Sequence, residues 1–205
     1  MKQYIPNIKL VSVDMDGTLL KSDKTIHQDT LRDIEEASRK GINVTYCTGR
    51  AIPELAAYVN SLPAIRYGVC LAGALVYDFH EKRVIYKRSL HPGHVRKIVE
   101  SSLKYDAMAQ FLTVDKSIVR SDQVNHMDDF NLGEYQAMFD EVTTKVDDLS
   151  EEVKDQEVIL KANIHYHTAE DRQAAYEDLK LLPMSFVLSE TSTLEIMPEG
   201  VNKAA

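Results

Sequence analysis

Two aspartates, Asp14 and Asp16, directly follow the apolar segment at residues 8–13. Like charges held this close repel each other, so they require a cation, a donor network or a shared proton. A carboxylate at a strand end can attack a phosphoryl group, and a second one can protonate the leaving oxygen and later activate water. A Mg²⁺ ion would neutralise the charge. A plain polar turn is the alternative, since Asp-Gly is a common turn pair.

Three further residues could bind phosphate oxygens. Thr48 and Gly49 close a second apolar segment, and a hydroxyl group and a backbone N–H at that point can hold a phosphate. The alternative is a simple strand-to-helix turn with Thr48 as the helix N-cap. Lys203 could balance the charges of the nucleophile and the phosphate, although a lone lysine is more often only solvated.

Two histidines form a weaker candidate for a metal site. His165 and His167 alternate with Tyr166 in a predicted strand, which places both imidazoles on one face. The alternative is a pair of ordinary sheet histidines. The acidic pairs at residues 128–129 and 147–148 are predicted as solvated helix starts.

Composition and charge exclude several classes of function. The chain has 205 residues, of which 44% are hydrophobic and 27% charged, which suits one sizeable globular domain or two small ones. A net charge of -8 argues against a nucleic-acid or membrane-surface role. We expect no transmembrane helix and no secretory signal. Cys47 and Cys70 lie in apolar segments and suit reduced core residues, so we expect a cytoplasmic location.

The first part of the chain must position these residues. Strands and helices alternate there, which predicts a parallel sheet covered by helices, with the strand carboxyl ends at one ligand-binding edge. The predicted strands are 8–13, 42–47 and 67–71, and the predicted helices are 27–40 and 53–61.

The pattern then changes to closely spaced strands. It predicts a hairpin at 74–79 and 83–88, followed by an α+β unit with an antiparallel sheet and helices on one face. The predicted strands are 108–113, 117–121, 142–146, 158–165, 184–189 and 193–197, and the predicted helices are 92–105, 127–139, 148–154 and 168–181.

The order of these motifs resembles the haloacid-dehalogenase-like (HAD) phosphohydrolases, and within them the Cof-type sugar phosphatases. The chain reads D-x-D-G-T, T-G-R, a G-A turn with a hairpin, a large insertion and E-I-x-P-x-G-V-x-K. The resemblance implies an α/β fold with a Rossmann-like parallel-sheet core, residues 1–82 and 190–205, and an inserted α+β cap, residues 83–189. It also implies a Mg²⁺-dependent phosphatase of small phosphorylated metabolites, with no nucleic-acid or membrane partner.

The resemblance assigns a role to each candidate residue. Asp14 would be the nucleophile, which forms a phosphoaspartate, and a Mg²⁺ ligand. Asp16 would be the general acid and base and would offer its backbone carbonyl to the metal. Thr48, Gly49 and Lys203 would bind the transferring phosphate, and the cap would select the substrate.

The sequence departs from the family pattern in two places. Ala72-Gly73 stands where the family usually shows Asn-Gly, and the G-D-x-x-N-D segment that completes the metal site is not found. We therefore expect an incomplete core in which strand 8–13 is an exposed edge, and self-association through that edge. Two alternatives remain open: a non-catalytic HAD-like binding module, and a phosphoacceptor signalling domain.

Overall fold

The computed structural model describes residues 7–155 and 158–204, which form eleven strands and seven α-helices. The strands are β1 (Leu10–Val13), β2 (Asn43–Cys47), β3 (Tyr67–Cys70), β4 (Leu75–Asp78), β5 (Arg83–Lys87), β6 (Met108–Leu112), β7 (Ser117–Arg120), β8 (Thr144–Val146), β9 (Lys161–His165), β10 (Met184–Ser189) and β11 (Thr193–Pro198). The helices are α1 (Gln28–Arg39), α2 (Ile52–Ser61), α3 (Pro92–Lys104), α4 (Ser121–Val124), α5 (Gln136–Val142), α6 (Leu149–Asp155) and α7 (Ala169–Leu179). None of the described helices combines the length and apolarity needed to cross a bilayer.

The first sheet, which we call the core sheet, has the strand order β1-β2-β3-β4-β5. β1, β2 and β3 are parallel, and α1 and α2 connect them, as the alternating pattern predicts. β4 and β5 continue the sheet in antiparallel orientation as a hairpin. The predicted α/β fold with a parallel core is confirmed, and the carboxyl ends of β1 and β2 lie at the same edge.

One hydrophobic cluster holds the core sheet and its helices together. Val44 and Tyr46 of β2 are buried, and they pack with Ile34 of α1 and Leu55 of α2. Tyr46 also meets Phe79 edge to face, with ring centroids 5.9 Å apart. Burial of such side chains contributes about 1.5–3 kcal/mol each, so this cluster fixes the position of the strand ends.

β1 lies at an edge of the core sheet, because β2 is its pairing partner within the described residues. Apolar side chains on and next to it remain accessible: Leu10 is 58% exposed, Ile8 45% and Val11 37%. An accessible apolar edge strand is a template for pairing with another chain.

The second sheet, which we call the cap sheet, has the order β10-β11-β9-β6-β7-β8 and is antiparallel except for the parallel pair β7 and β8. α3, α6 and α7 cover one face, where Ala162 and Ile164 of β9 are buried. Because side chains alternate along a strand, Lys161, Asn163 and His165 point to the opposite face. That face is turned towards the core sheet.

The predicted helix over residues 127–139 is wrong. The segment forms two 3₁₀ turns, Met127–Phe130 and Gly133–Tyr135, before α5 begins. Asn131 has a left-handed φ of 59°, which ends the first turn. A Cβ atom at Gly133 would lie 1.7 Å from the Asp128 carboxylate, so any other residue there requires the Asp128 side chain to move.

The predicted division into core and cap stays a prediction. Two strands, however, belong to the sheet of the other unit. β5, which begins at residue 83, pairs with β4 in the core sheet. β11, which follows residue 190, pairs with β9 and β10 in the cap sheet. By sheet membership, the crossings between the two units therefore come after residue 87 and after residue 198.

Candidate active site

The carboxyl ends of β1 and β2 open into a cavity of about 400 Å³ between the two sheets. All five residues singled out from the sequence line it: Asp14, Asp16, Thr48, Gly49 and Lys203. A cavity of this size suits a small-molecule ligand. The structure therefore brings the five predicted site residues together at one cavity.

Asp14 follows the last residue of β1 and carries the first carboxylate of the site. Its Oδ1 accepts a hydrogen bond from Met15 N–H at 2.8 Å. Its Oδ2 lies 2.9 Å from Lys203 Nζ, and both side chains are about two-fifths exposed, at 43% and 42%. The distant lysine thus reaches the aspartate, and the carboxylate stays accessible from the cavity.

Asp16 is held by an arginine that the sequence argument noted only as part of a motif. Arg50 donates two hydrogen bonds to it, from Nε to Oδ2 and from Nη2 to Oδ1, each at 2.8 Å. Lys24 Nζ approaches Oδ1 at 3.3 Å. The Arg50 hydrogen bonds hold the pKa of Asp16 below its usual value, so this carboxyl is ionised at neutral pH.

Thr48 is almost fully buried, and its Oγ1 accepts a hydrogen bond from Arg50 N–H at 3.1 Å. The alternative in which Thr48 caps the next helix is wrong, because Ala51 is the residue that precedes α2. Glu54 caps this helix start by accepting a hydrogen bond from Ala51 N–H at 2.9 Å. The turn at residues 48–50 lies at the cavity, which Thr48, Gly49 and Arg50 line.

The segment after β3 is the place where the sequence departs from the family pattern. Leu71, Ala72 and Gly73 all have positive φ, at 51°, 55° and 103°. A Cβ atom at Gly73 would lie 2.2 Å from the Asn202 carbonyl oxygen. Ala72 lines the cavity in a conformation that costs a non-glycine residue about 1–2 kcal/mol. This turn supports the segment that carries Lys203.

The cap sheet supplies polar residues that the sequence argument missed. Lys161 is 1% exposed, lies 2.6 Å from the Glu195 carboxylate, and donates a hydrogen bond to Gly49 O at 3.2 Å. Gln110 Nε2 donates to Glu54 Oε1 at 3.0 Å. These contacts join the cap to the turn at residues 48–50 and to the start of α2. The signal for Lys161 was a polar residue at every second position of β9, a pattern that ordinarily indicates solvent.

Burial changes the pKa of three groups around the cavity. It raises the pKa of Glu54 above its usual value. It also pushes the pKa of Glu195 upwards, but the charge and hydrogen bond of Lys161 outweigh this and leave that pKa below normal. Burial lowers the pKa of His165 to about 3, so its imidazole is neutral at pH 7.

The predicted metal pair of His165 and His167 does not form. His165 Nδ1 lies 2.8 Å from Thr193 Oγ1, within the sheet. His167 Nδ1 lies 2.9 Å from Asp129 O, and its ring stacks on Phe130. Within residues 7–155 and 158–204, no three His, Cys, Asp or Glu side chains are grouped so that they could hold a metal ion.

Two comparisons relate the chain to named proteins. It is similar to 5-amino-6-(5-phospho-D-ribitylamino)uracil phosphatase YcsE of Bacillus subtilis, with 28% identity over 54% of this chain and 44% of that protein. It is also similar to a putative phosphatase of Mycoplasma pneumoniae, with 24% identity over 97% of this chain and 73% of that protein. The match to YcsE thus spans less than half the length of that relative.

Solved structures share the fold. A haloacid dehalogenase-like hydrolase from B. subtilis superposes with a TM-score of 0.82 at 18% identity, over 96% of this chain and 75% of that one. A sugar phosphatase of HAD subclass IIB superposes with a TM-score of 0.76 at 20% identity, over 95% and 72%. Residues 11–205 match the haloacid dehalogenase-like hydrolase family, and the chain therefore belongs to this family.

Proposed function

We propose that this hydrolase is a Mg²⁺-dependent phosphatase of small phosphorylated metabolites that acts through a phosphoaspartate at Asp14. The observation that carries the proposal is the 2.9 Å contact between Asp14 Oδ2 and Lys203 Nζ at a cavity that Thr48 and Gly49 also line. A nucleophilic carboxylate, a cation and a phosphate-binding turn thus share one small space. Relatives of the chain named as phosphatases agree with it.

The reaction would proceed in two steps. An Asp14 oxygen forms a bond to phosphorus while the bond from phosphorus to the leaving oxygen breaks, and the leaving oxygen takes a proton from Asp16. A water molecule then gives its proton to Asp16 and attacks phosphorus, which releases inorganic phosphate and restores Asp14. Thr48 and Lys203 hold the phosphate oxygens in both steps.

Asp16 cannot donate a proton while both of its oxygens accept hydrogen bonds from Arg50. The proposed role therefore requires that Arg50 release the carboxylate when a substrate binds. Arg50 packs over the Tyr58 ring, with its guanidinium carbon 5.6 Å from the ring centroid, and its Nη1 contacts Met138 of the cap. Movement of the cap is thus a means of changing the Arg50 contact.

The donors of the site suit a magnesium ion in part. Mg²⁺ prefers oxygen ligands and usually keeps several waters, so one or two carboxylates with a substrate phosphate are enough to bind it. Asp14 and Asp16 supply such oxygens at the cavity, and we propose that they hold the ion. When bound, the ion neutralises charge on the phosphate and the carboxylate.

The test is Mg²⁺-dependent hydrolysis of an aryl phosphate, measured for the 205-residue chain and for the full open reading frame that encodes it. Asp14→Asn should abolish turnover. Asp23→Asn is the matched control, because Asp23 is exposed and does not line the cavity. Turnover that survives Asp14→Asn would refute the phosphoaspartate. A lack of turnover in both forms would favour a non-catalytic binding module.

We also propose that a second copy of the 205-residue chain pairs along β1. The support is the accessible apolar edge formed by Ile8, Leu10 and Val11. Strand addition at such an edge satisfies backbone groups and covers apolar surface at the same time. Light scattering tests the proposal, and a monodisperse monomer at high concentration would refute it.

A further inference from the structure

The wall of the cavity opposite the two aspartates is a polar face of the cap sheet. Residues of three neighbouring strands meet there in register: Thr193 opposes His165, while Glu195 and Gln110 flank Asn163 on either side. Their sequence neighbours in β9 and β11 point to the other face and are buried against helices. The polar side chains are therefore enclosed between the sheets and face the cavity rather than bulk solvent.

Two atoms of β9 on this face lack a hydrogen-bond partner among the described residues, Asn163 Oδ1 and His165 Nε2. The other polar atoms of these side chains are used: Asn163 Nδ2 donates to Gln110 Oε1 at 2.7 Å, and His165 Nδ1 lies 2.8 Å from Thr193 Oγ1. An unpartnered polar atom in a buried position destabilises the protein. Such atoms at a cavity wall are suited to a ligand that supplies the missing bonds.

The charges around the cavity restrict what that ligand can carry. Each cationic side chain of the described lining already contacts a carboxylate: Arg50 contacts Asp16, Lys161 contacts Glu195 and Lys203 contacts Asp14. Glu54 and Glu190 add further acidic groups. The described lining holds five carboxylates and three cations, so it repels an anionic group on the leaving group even when Arg50 has released Asp16.

The remaining wall is apolar and aromatic. Tyr135, Met138 and Phe139 line it, and the Phe139 ring meets His165 edge to face with centroids 6.5 Å apart. A sugar or a sugar alcohol presents hydroxyl groups on its edges and C–H groups between them. It can therefore bond to the polar face and pack on the apolar wall, and a hydroxyl group serves either tautomer of His165 because it both donates and accepts.

We propose that Asn163 Oδ1 and His165 Nε2 bind adjacent hydroxyl groups of an uncharged, polyhydroxylated leaving group. The inference rests on the proposed phosphatase function, and it adds the two atoms that recognise the leaving group and the requirement that this group be uncharged. Asn163 and His165 are specificity residues, which bind the part of the substrate that does not react.

Kinetics on whichever form hydrolyses the aryl phosphate provide the first test. Glucitol phosphate and phosphogluconate have the same carbon chain and differ by a carboxylate. Wild type should favour glucitol phosphate by at least about tenfold in kcat/KM, because the acidic excess of the lining repels the carboxylate of phosphogluconate. Equal rates for the two compounds would overturn the requirement for an uncharged group.

Variants test the two atoms directly. Asn163→Leu and His165→Phe should each lower kcat/KM for glucitol phosphate about tenfold, as loss of one hydrogen bond does, and leave the aryl phosphate within about twofold. His167→Phe is the matched control, since His167 lies on the same segment and outside the cavity lining. Parallel losses with both substrates would show a structural role and overturn the assignment.

Binding gives a second measurement that does not depend on turnover. Glucitol phosphate added to the Asp14→Asn chain should shift the imidazole NMR signals of His165 saturably and leave those of His167 unchanged. Unshifted His165 signals would overturn the inference. Absence of aryl phosphate hydrolysis together with a saturable His165 shift would instead refute the proposed function and retain the binding site.

Discussion

Lys161 is a buried cation whose removal has a calculable effect on stability. Its side chain is 1% exposed and contacts the Glu195 carboxylate at 2.6 Å, while Glu195 itself is 21% exposed. Lys161→Met keeps the volume of the side chain but removes the cation that contacts the Glu195 carboxylate. Breaking a buried ion pair in this way costs about 3–5 kcal/mol. Because Glu195 keeps some contact with the cavity, we expect the low end, about 3 kcal/mol.

The effect should depend on pH in a defined direction. In the wild type the folded pKa of Glu195 lies below its unfolded value, so its contribution is present above the unfolded pKa and lost as pH falls. In the variant, burial, the largest cause, is opposed only by the Ser189 hydrogen bond and the charge of Lys203, so the folded pKa of Glu195 rises. The variant therefore loses stability as pH rises from the unfolded pKa to the folded one. The difference between the two proteins should be larger near pH ~7 than near pH ~4.5.

Urea unfolding at the two pH values measures both quantities. A loss of about 3 kcal/mol corresponds to a melting temperature lower by roughly 6–12 °C for a chain of this size. Lys161→Met with Glu195→Gln is the matched control, since it removes the unpaired charge and should recover most of the loss. Exposed Lys154→Met should have almost no effect. A single variant as stable as wild type, or a double variant with no recovery, would refute the account of the pair.

Three further predictions concern Arg50, Gly73 and β1. Arg50→Gln removes the hydrogen bonds that lower the pKa of Asp16 in the free enzyme, so the alkaline limb of the kcat/KM profile should move to higher pH. An unchanged limb would contradict the role of Asp16 as the acid. Gly73→Ala forces a Cβ atom against the Asn202 carbonyl and should lower the free energy of unfolding by about 1–3 kcal/mol in urea titrations. Gly41→Ala is the control: its Cβ atom meets no atom within 4 Å, so the loss of unfolding free energy should be smaller. Val11→Lys places a charge on the accessible edge and should lower the apparent mass in light scattering if the chain pairs there; Lys40→Met, on an exposed helix end, should leave the mass unchanged.

The core and its half of the candidate site could be predicted from local sequence. Apolar β-branched segments alternate with amphipathic ones up to residue 71, and chirality leaves one handedness for their connections. The carboxyl ends of β1 and β2 must therefore meet, which brings Asp14 close to Thr48. Lys203 was placed by resemblance alone, because its contact with Asp14 depends on a return of the chain that no local pattern indicates.

The cap half of the site could not be found in this way. A strand with polar residues at every second position has the same pattern whether that face meets water or a second domain. Lys161 and His165 were therefore indistinguishable from surface residues until the two sheets were seen facing each other. The broken helix at residues 127–139 was missed for a related reason, since Asn131 and Gly133 are also tolerated within longer helical patterns.

β11 and the residues that follow it contribute both to the leaving-group site and to the position of Lys203. Thr193 and Glu195 lie on the face that would bind the leaving group, and after the strand ends at Pro198 the chain turns and reaches Lys203 beside the nucleophile. In this connecting segment Val201 is buried, and the backbone of Asn202 packs closely against Gly73. Because this connecting segment is short and packed, a displacement of β11 on ligand binding would also move Lys203. Substitutions in β11 that change which leaving group is bound would then also change the position of Lys203 relative to Asp14. Substrate selectivity and reaction rate would therefore tend to evolve together.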